Sequence, residues 1–301
     1  MTREKIKLPP DGEGLTVVAS VSGGKDSTAL ILALRDAEIP ARYVFADTQW
    51  EAPETYDYLD TLRDKLEIEI DVVGADGMMG AARYHAGFPG RMQRFCTREL
   101  KLEPLRAYHD ALIEATGIET ISALGVRAQE SAARAAMPEW SDEPDGPRTW
   151  GGFVWRPLIF WTVEDVIGLH VRHGVPMNPL YHLGFDRVGC FPCIFENKAG
   201  IRRMAELRPE RISEIRAAEA EITQIRADRN AERPGRYQHA EATFFQTAHK
   251  GFSGIDKVVE WARTDTGGRQ FPLFAPAPTG GCMRWGMCET APTDNNTNGD
   301  D

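Results

Sequence analysis

Six residues near the start of the 301-residue chain, Ser22-Gly23-Gly24-Lys25-Asp26-Ser27, combine the groups that hold phosphate. Two glycines let backbone N–H groups approach an anion closely, the serines add hydroxyl donors, and Lys25 adds a fixed positive charge. Asp26 is the odd member, because an acid repels phosphate unless a cation is present. It points to Mg2+ or to an N-cap role. The spacing is neither that of a Walker A loop, G-x-x-x-x-G-K-[ST], nor that of the G-x-G-x-x-G fingerprint. A plain strand-to-helix turn is the competing reading, and it leaves Lys-Asp-Ser directly after Gly-Gly unexplained.

Two further groups of residues carry chemistry. Arg91, Arg94, Arg98 and Lys101 gather around Cys96, and Arg127 stands in GVRAQES (125–131), in a chain of net charge −10. Convergent cations suit an anionic ligand, and Arg suits bidentate phosphate contact. A solvated helix face with ion pairs to Glu99 and Glu103 is the competing reading, and it covers Lys101 and Arg98 better than Arg127. The five cysteines are Cys96, Cys190, Cys193, Cys282 and Cys288. An odd count in a chain that starts MTREKIKLPPDGEG, with no apolar segment behind the charges, makes a poor disulfide framework. Cys190-x-x-Cys193 and the pair Cys282 and Cys288 fall in two Gly-containing loops. Four such thiols could hold Zn2+ or a [4Fe–4S] cluster, against the alternative of buried structural thiols.

These residues need positioning elements, and the pattern supplies them. TVVASV (16–21), ARYVFADT (41–48), IEIDVVGA (68–75), TISALGVRA (120–128) and FVWRPLI (153–159) read as five strands. Helical spacing runs over 27–38, 52–67, 97–117 (disturbed at Pro104), 162–174 and 208–232. Thr162 and Asp165 open the fourth of these helices as a capping pair. Strand and helix alternate, which predicts an α/β fold with a doubly wound, mostly parallel five-stranded sheet. The phosphate loop then lies between first strand and first helix, where ligands bind in open parallel sheets. Residues 138–152 read as a surface excursion. The expected domains are 1–200, a nucleotide-binding α/β unit; 201–291, a helical and loop extension containing Cys282 and Cys288; and 292–301, a disordered tail.

SGGKDS after the first strand resembles the PP-loop of the ATP pyrophosphatase (adenine nucleotide alpha hydrolase-like) superfamily. RFCTRELKLEPLRAY (94–108), GVRAQES and the run WRPLIFWTVEDV…NPLYHLGFDRVGCFPC (155–193) resemble its phosphoadenosine-phosphosulfate reductase branch. That resemblance covers residues 15–200 and implies a HUP-like PP-loop fold. It implies ATP at Ser22, Gly23, Gly24, Lys25, Asp26, Ser27, Asp47, Thr48, Gly125 and Arg127. Asp47 has a competing role as a helix-capping acid. Lys25, Asp26, Cys96 and Arg127 are the implied catalytic residues.

Some members of the branch bind a [4Fe–4S] cluster through tandem cysteines and a distant C-x-x-C. Cys96 falls at the tandem position, but Thr97 follows it, so one family ligand is missing. Cys96, Cys190 and Cys193 with Cys282 or Cys288 is the favoured set. Cys190, Cys193, Cys282 and Cys288, leaving Cys96 as a reactive thiol, is the other, and Zn2+ is the alternative metal.

The sulfonucleotide reductases of the branch carry a degraded loop and a terminal Glu-Cys-Gly. This chain has an intact loop and no Glu-Cys-Gly. By resemblance to sulfur-inserting relatives it is therefore expected to cleave ATP to AMP and pyrophosphate with Mg2+, adenylating an acceptor for sulfur insertion, in DNA phosphorothioation or tRNA thiolation. The implied partners are a cysteine desulfurase or other sulfur donor, further modification-system subunits, and DNA or tRNA as substrate. A sulfonucleotide reductase and a non-catalytic nucleotide-binding subunit are the alternatives. Composition is that of a soluble globular protein, 42% hydrophobic and 27% charged, with no apolar run long enough to span a bilayer, so a cytoplasmic protein without a membrane partner is expected.

Overall fold

The computed structural model describes residues 4–142, 152–239, 241–245 and 254–264. Strands β1 (Thr16–Val21), β2 (Ala41–Asp47) and β3 (Ile70–Gly74) alternate with helices α1 (Lys25–Asp36) and α2 (Pro53–Leu66). Helix α3 (Gly77–His85) and a loop lead to the single turn α4 (Phe95–Thr97), a π-helical stretch over Arg98–Leu102, and α5 (Glu103–Thr116). The expected disturbance at Pro104 takes this form. Proline has no N–H to give to the residue four back, so the turn before it widens.

Strand β4 (Thr120–Leu124), the turn α6 (Ala132–Ala135), β5 (Trp140–Ser141), β6 (Phe153–Trp155) and α7 (Val163–His173) follow. The capping pair at the start of α7 is formed: Asp165 N–H donates to Thr162 Oγ1 at 3.1 Å and Thr162 N–H to Asp165 Oδ2 at 2.8 Å. The short α8 (Pro179–His182) precedes α9 (Lys198–Leu207), α10 (Pro209–Glu232) and α11 (Ile255–Arg263).

The sheet order is β3-β2-β1-β4-β6-β5, parallel throughout except for β5 against β6. The five expected strands are present, and β5 adds a sixth at the edge. It arises inside the stretch read as a surface excursion, because Trp140 stacks on Phe153 with ring centroids 5.6 Å apart. The fourth strand stops at Leu124, short of the expected 128, because Gly125–Arg127 turn away into the site described below.

The strand order reverses between β1 and β4. Right-handed crossovers then put α1 and α2 on one face and α5 on the other, where it lies against β2, β3 and β4. A crevice opens at the carboxyl ends of β1 and β4, the topological switch point of such sheets.

Two apolar clusters flank that crevice. One joins β1, β2 and β4 to α1, α2 and α7 through Leu30, Leu34, Leu62 and Val166. The other gathers Trp50, Phe95, Leu100 and Phe191 beneath α3, α9, α10 and α11. The long charged helix buries Ile212, Ile215, Ala218 and Ile222 along the stripe expected of it. Among the described residues no helix is long and apolar enough to cross a membrane. Cys282, Cys288 and the tail 292–301 lie outside the described residues.

Candidate functional site

The loop after β1 is held from three sides. Gly23 takes a left-handed backbone, φ +70°, and a Cβ on it would stand 2.9 Å from Thr55 Cγ2. Asn178 Nδ2 donates to Gly23 O at 3.1 Å, and the Tyr181 hydroxyl accepts the Lys25 N–H at 3.1 Å. His170 Nε2 lies 2.9 Å from Lys25 O. A carbonyl only accepts, so that nitrogen carries the proton; Nδ1 lies 3.3 Å from Val175 O, and burial lowers the imidazole pKa against these two contacts. Ser27 Oγ turns back to receive the Ser22 N–H at 3.1 Å and to donate to Gly24 O at 2.9 Å.

Gly24, rather than Asp26, is the N-cap of α1. Asp26 instead bridges two cations: Lys25 Nζ stands 2.8 Å from one carboxylate oxygen and Arg127 Nε 2.5 Å from the other. The three side chains are only 9%, 14% and 5% exposed for Lys25, Asp26 and Arg127 respectively. Two buried cations against one carboxylate leave a local excess of positive charge beside the helix start, which suits an anion. Gly125 makes the arrangement possible, since a Cβ there would meet Asp26 O at 2.6 Å. That close approach carries the chain from β4 into Arg127.

The loop forms one wall of a cleft of about 450 Å3. Ser22, Gly24, Lys25 and Ser27 face it on the phosphate side. Val21, Phe45, Ala46, Leu102, Leu105 and Leu124 make an apolar slot of the kind that accepts a flat base. The third part of the lining includes Glu51, Thr97, Lys101, Asp186, Val188 and Gly189, on the side of Cys96 and Cys190.

The cysteine wall has its own electrostatics. Glu51 and Cys190 pair as an isolated antiparallel bridge, reinforced by Phe191 N–H donating to Trp50 O at 2.7 Å. Buried Thr48 donates to Glu51 Oε1 at 2.7 Å and lies 3.5 Å from Cys190 Sγ. Burial pushes the Cys190 thiol up more than Lys101 and Thr48 draw it down. Burial, then Cys190 and Cys193, raise Cys96, against Thr97 and Lys101. At Lys101 burial is the largest influence and lowers the ammonium, yet Cys190 and Glu51 outweigh it and the pKa ends raised.

Cys96, Cys190 and Cys193 thus stand within electrostatic reach of one another around one cation. Among the described residues no three His, Cys, Asp or Glu side chains are close enough to share one metal ion. A single zinc ion needs its ligands drawn around one point at ~2.3 Å. An iron–sulfur centre spreads its thiolates over separate irons, and three soft sulfur donors match that donor chemistry.

Residues 16–196 match the phosphoadenosine phosphosulfate reductase domain. The chain belongs to this family. Its relatives include an uncharacterized 37.8 kDa protein of Escherichia phage 186, 32% identical over 86% of this chain and 91% of that one. The adenosine 5'-phosphosulfate reductase of Allochromatium vinosum is 27% identical over 59% of this chain and 68% of its own length. Among solved structures, the phosphoadenylyl-sulfate reductase of Candida auris in its phosphate complex overlays 61% of this chain and 85% of that one, at 18% identity and a TM-score of 0.45.

In this reductase-domain chain the structure gathers Ser22, Gly24, Lys25, Asp26, Ser27 and Gly125 on the cleft, with Gly23 and Arg127 directly behind. It does not bring Asp47 and Thr48 there. Phe45 and Ala46 line the cleft instead. Asp47 Oδ1 accepts from Gln49 N–H and Tyr56 O–H, both at 2.8 Å, and Thr48 turns inward to Glu51. The physical reason is the bend after β2, where Gln49, Tyr56 and Glu51 hold these two side chains.

Arg98 pairs with Glu99 and Glu103 on an exposed face, so the solvated-face reading holds for it. It fails for Lys101, which turns into the cysteine wall. Tyr181, Asn178, His170, Glu51 and Arg134 were not singled out from the sequence as site residues. NPLY (178–181) stood in the run that carried the family resemblance, and its Asn178 also caps α8, Oδ1 accepting the Leu180 N–H at 3.0 Å.

Proposed function

We propose that the protein cleaves ATP between the α and β phosphates and leaves AMP on an acceptor that is then sulfurated. The supporting observation is that one cleft is walled by the intact Ser22–Ser27 loop and by the neighbours of Cys96 and Cys190. A nucleotide seated there has its base in the slot of Val21, Phe45 and Leu105 and its phosphates against the start of α1. Lys25 and Arg127 offset the charge that builds on departing pyrophosphate. Asp26 is engaged by Lys25 and Arg127, so Mg2+ would enter on the phosphates, whose charge draws both cations, and Asp26 would then be the carboxylate that meets it. Mg2+ there would add charge stabilisation at the leaving group.

An acceptor oxygen attacks the α-phosphorus and pyrophosphate leaves. A sulfur nucleophile then displaces AMP, which carries that oxygen away. Cys96, Cys190 and Cys193, with Cys282 or Cys288, would hold an iron–sulfur cluster that delivers sulfur to the cleft. A cysteine desulfurase is the expected sulfur source, other modification subunits the expected company, and a nucleic acid the expected acceptor.

The second reading, a sulfonucleotide reductase, is favoured by the likeness to the Allochromatium vinosum enzyme. Purified protein with ATP, Mg2+ and acceptor separates the two. Pyrophosphate release that disappears in Lys25→Ala supports ATP cleavage. The fold should survive that change because Arg127 still pairs with Asp26. No release, together with conversion of adenylyl sulfate to AMP and sulfite by an added thiol, establishes the reductase. ATP binding without either reaction marks a nucleotide-sensing subunit.

A further inference from the structure

The end of α10 carries arginines that the cleft does not use. Arg226, Arg229 and Arg233 follow at i, i+3 and i+7, and Arg236 stands in the turn beyond. Among the described residues none of the four has a carboxylate at ion-pair distance. Their polar contacts go to neutral groups. Arg226 Nε donates to Ala86 O at 2.6 Å, and Arg229 donates to Arg83 O and Tyr84 O, each at 3.0 Å. The arginines therefore cap the carboxyl end of α3 while keeping their charge. Asp228 accepts from Gln224 at 2.8 Å, and neither it nor Glu232 pairs with these arginines among the described residues.

Aromatic rings are interleaved with this charge. The Tyr237 ring lies under Arg226 at 5.7 Å and Arg236 at 5.6 Å, and its hydroxyl accepts from Arg229 at 3.3 Å. Tyr84 is 76% exposed beside them.

A chain of contacts joins this surface to the cysteine wall. From α3, His85 stacks on Phe95 with centroids 4.2 Å apart, and Cys96 is the next residue. The turn closed by Gly90 and Gln93 presents Arg91 and Met92, the latter 85% exposed. Arg94 then lies 4.9 Å over Phe195, two residues beyond Cys193. Arg91 and Arg94 also have no ion pair among the described residues.

We propose that this surface holds a single-stranded nucleic acid and leads it towards the cysteine wall, its phosphates on the arginines and its unpaired bases on Tyr84 and Tyr237. Uncompensated arginine in a chain of net charge −10 makes a local anion surface against the overall field. Flat rings beside guanidinium planes suit stacked bases, which an acidic protein does not offer. The proposal rests on the reading above for the destination of the strand, while its test does not need ATP.

Fluorescence anisotropy of labelled oligodeoxythymidylate with the whole protein, without nucleotide, at several salt concentrations, reads it directly. Arg233→Ala with Arg236→Ala should weaken binding at least ~tenfold and lower the slope of log affinity against log salt by about 1.4. Tyr84→Ala, at an exposed ring, should weaken single-strand binding roughly fivefold or more and leave duplex binding unchanged. Both variants should keep wild-type affinity for ATP, measured in the absence of nucleic acid. Wild-type binding in the double variant, equal effects on single strand and duplex, or equally tight binding of polyglutamate each overturns the proposal. Binding as predicted with no ATP cleavage would leave this surface standing and remove the adenylation reading alone.

Discussion

Asp26 is the residue whose replacement tests the site most sharply. In Asp26→Asn the carboxylate between Lys25 and Arg127 becomes neutral, and two cations confront each other at sites 9% and 5% exposed. Removing one partner of a buried ion pair costs about 3–5 kcal/mol, because the remaining charge stays desolvated. The amide still accepts one hydrogen bond, which places the expected loss near 3 kcal/mol. With a urea m-value of ~3 kcal/mol/M that loss moves the unfolding midpoint down by ~1 M. An anion in the loop should reverse it. Pyrophosphate meets two uncompensated cations in the variant and one net cation in the wild type, so added pyrophosphate should raise the variant's midpoint further than the wild type's. Urea titration followed by circular dichroism, with and without pyrophosphate, gives both numbers. A variant as stable as the wild type without anion, or one that gains no more from pyrophosphate, would refute the claim that Asp26 neutralises a positive phosphate site.

Two other outcomes are expected. His109 is buried and held by Thr120 Oγ1 at 2.7 Å, and burial pulls its pKa from 6.5 down to about 4. The unfolded chain therefore takes up this proton first: the stabilisation is present in full above pH 6.5 and is lost as pH falls towards 4, roughly 3 kcal/mol in all. His109→Leu should flatten the stability profile across that window, and an unchanged slope would show that another group causes it. Anaerobically purified protein should be brown and contain iron, and Cys190→Ala should lose both colour and iron while keeping its far-ultraviolet circular dichroism. Colourless protein with stoichiometric zinc would exclude the iron–sulfur reading.

Much of the architecture was legible because its signals are local. β-branched runs bounded by turn residues gave all five principal strands, and the 3.6-residue stripe gave α10 almost to the residue. The capping pair of Thr162 and Asp165 is formed as the pattern implied. The edge strand β5 was not legible, since two residues carry no periodicity and Trp140 is recruited by Phe153 across the sheet.

The functional residues divide the same way. SGGKDS announced a phosphate loop from six adjacent residues, and its intactness pointed to ATP by resemblance. Asp47 and Thr48 were placed near the nucleotide by resemblance alone, and the bend after the strand leaves Phe45 and Ala46 on the cleft instead.

What the amino-acid order determined by itself is the anion chemistry of Ser22–Ser27 and the α/β frame that exposes it at a strand end. Only the tertiary structure decided that Asp26 serves Arg127, that Tyr181 caps the Lys25 N–H, and that Lys101 abandons its helix face for Cys190. Those partners lie about 90 to 156 residues apart. No local preference encodes such pairs. They form because packing of the sheet and its helices brings these groups together, and a buried polar or charged group is stable only where a partner meets it.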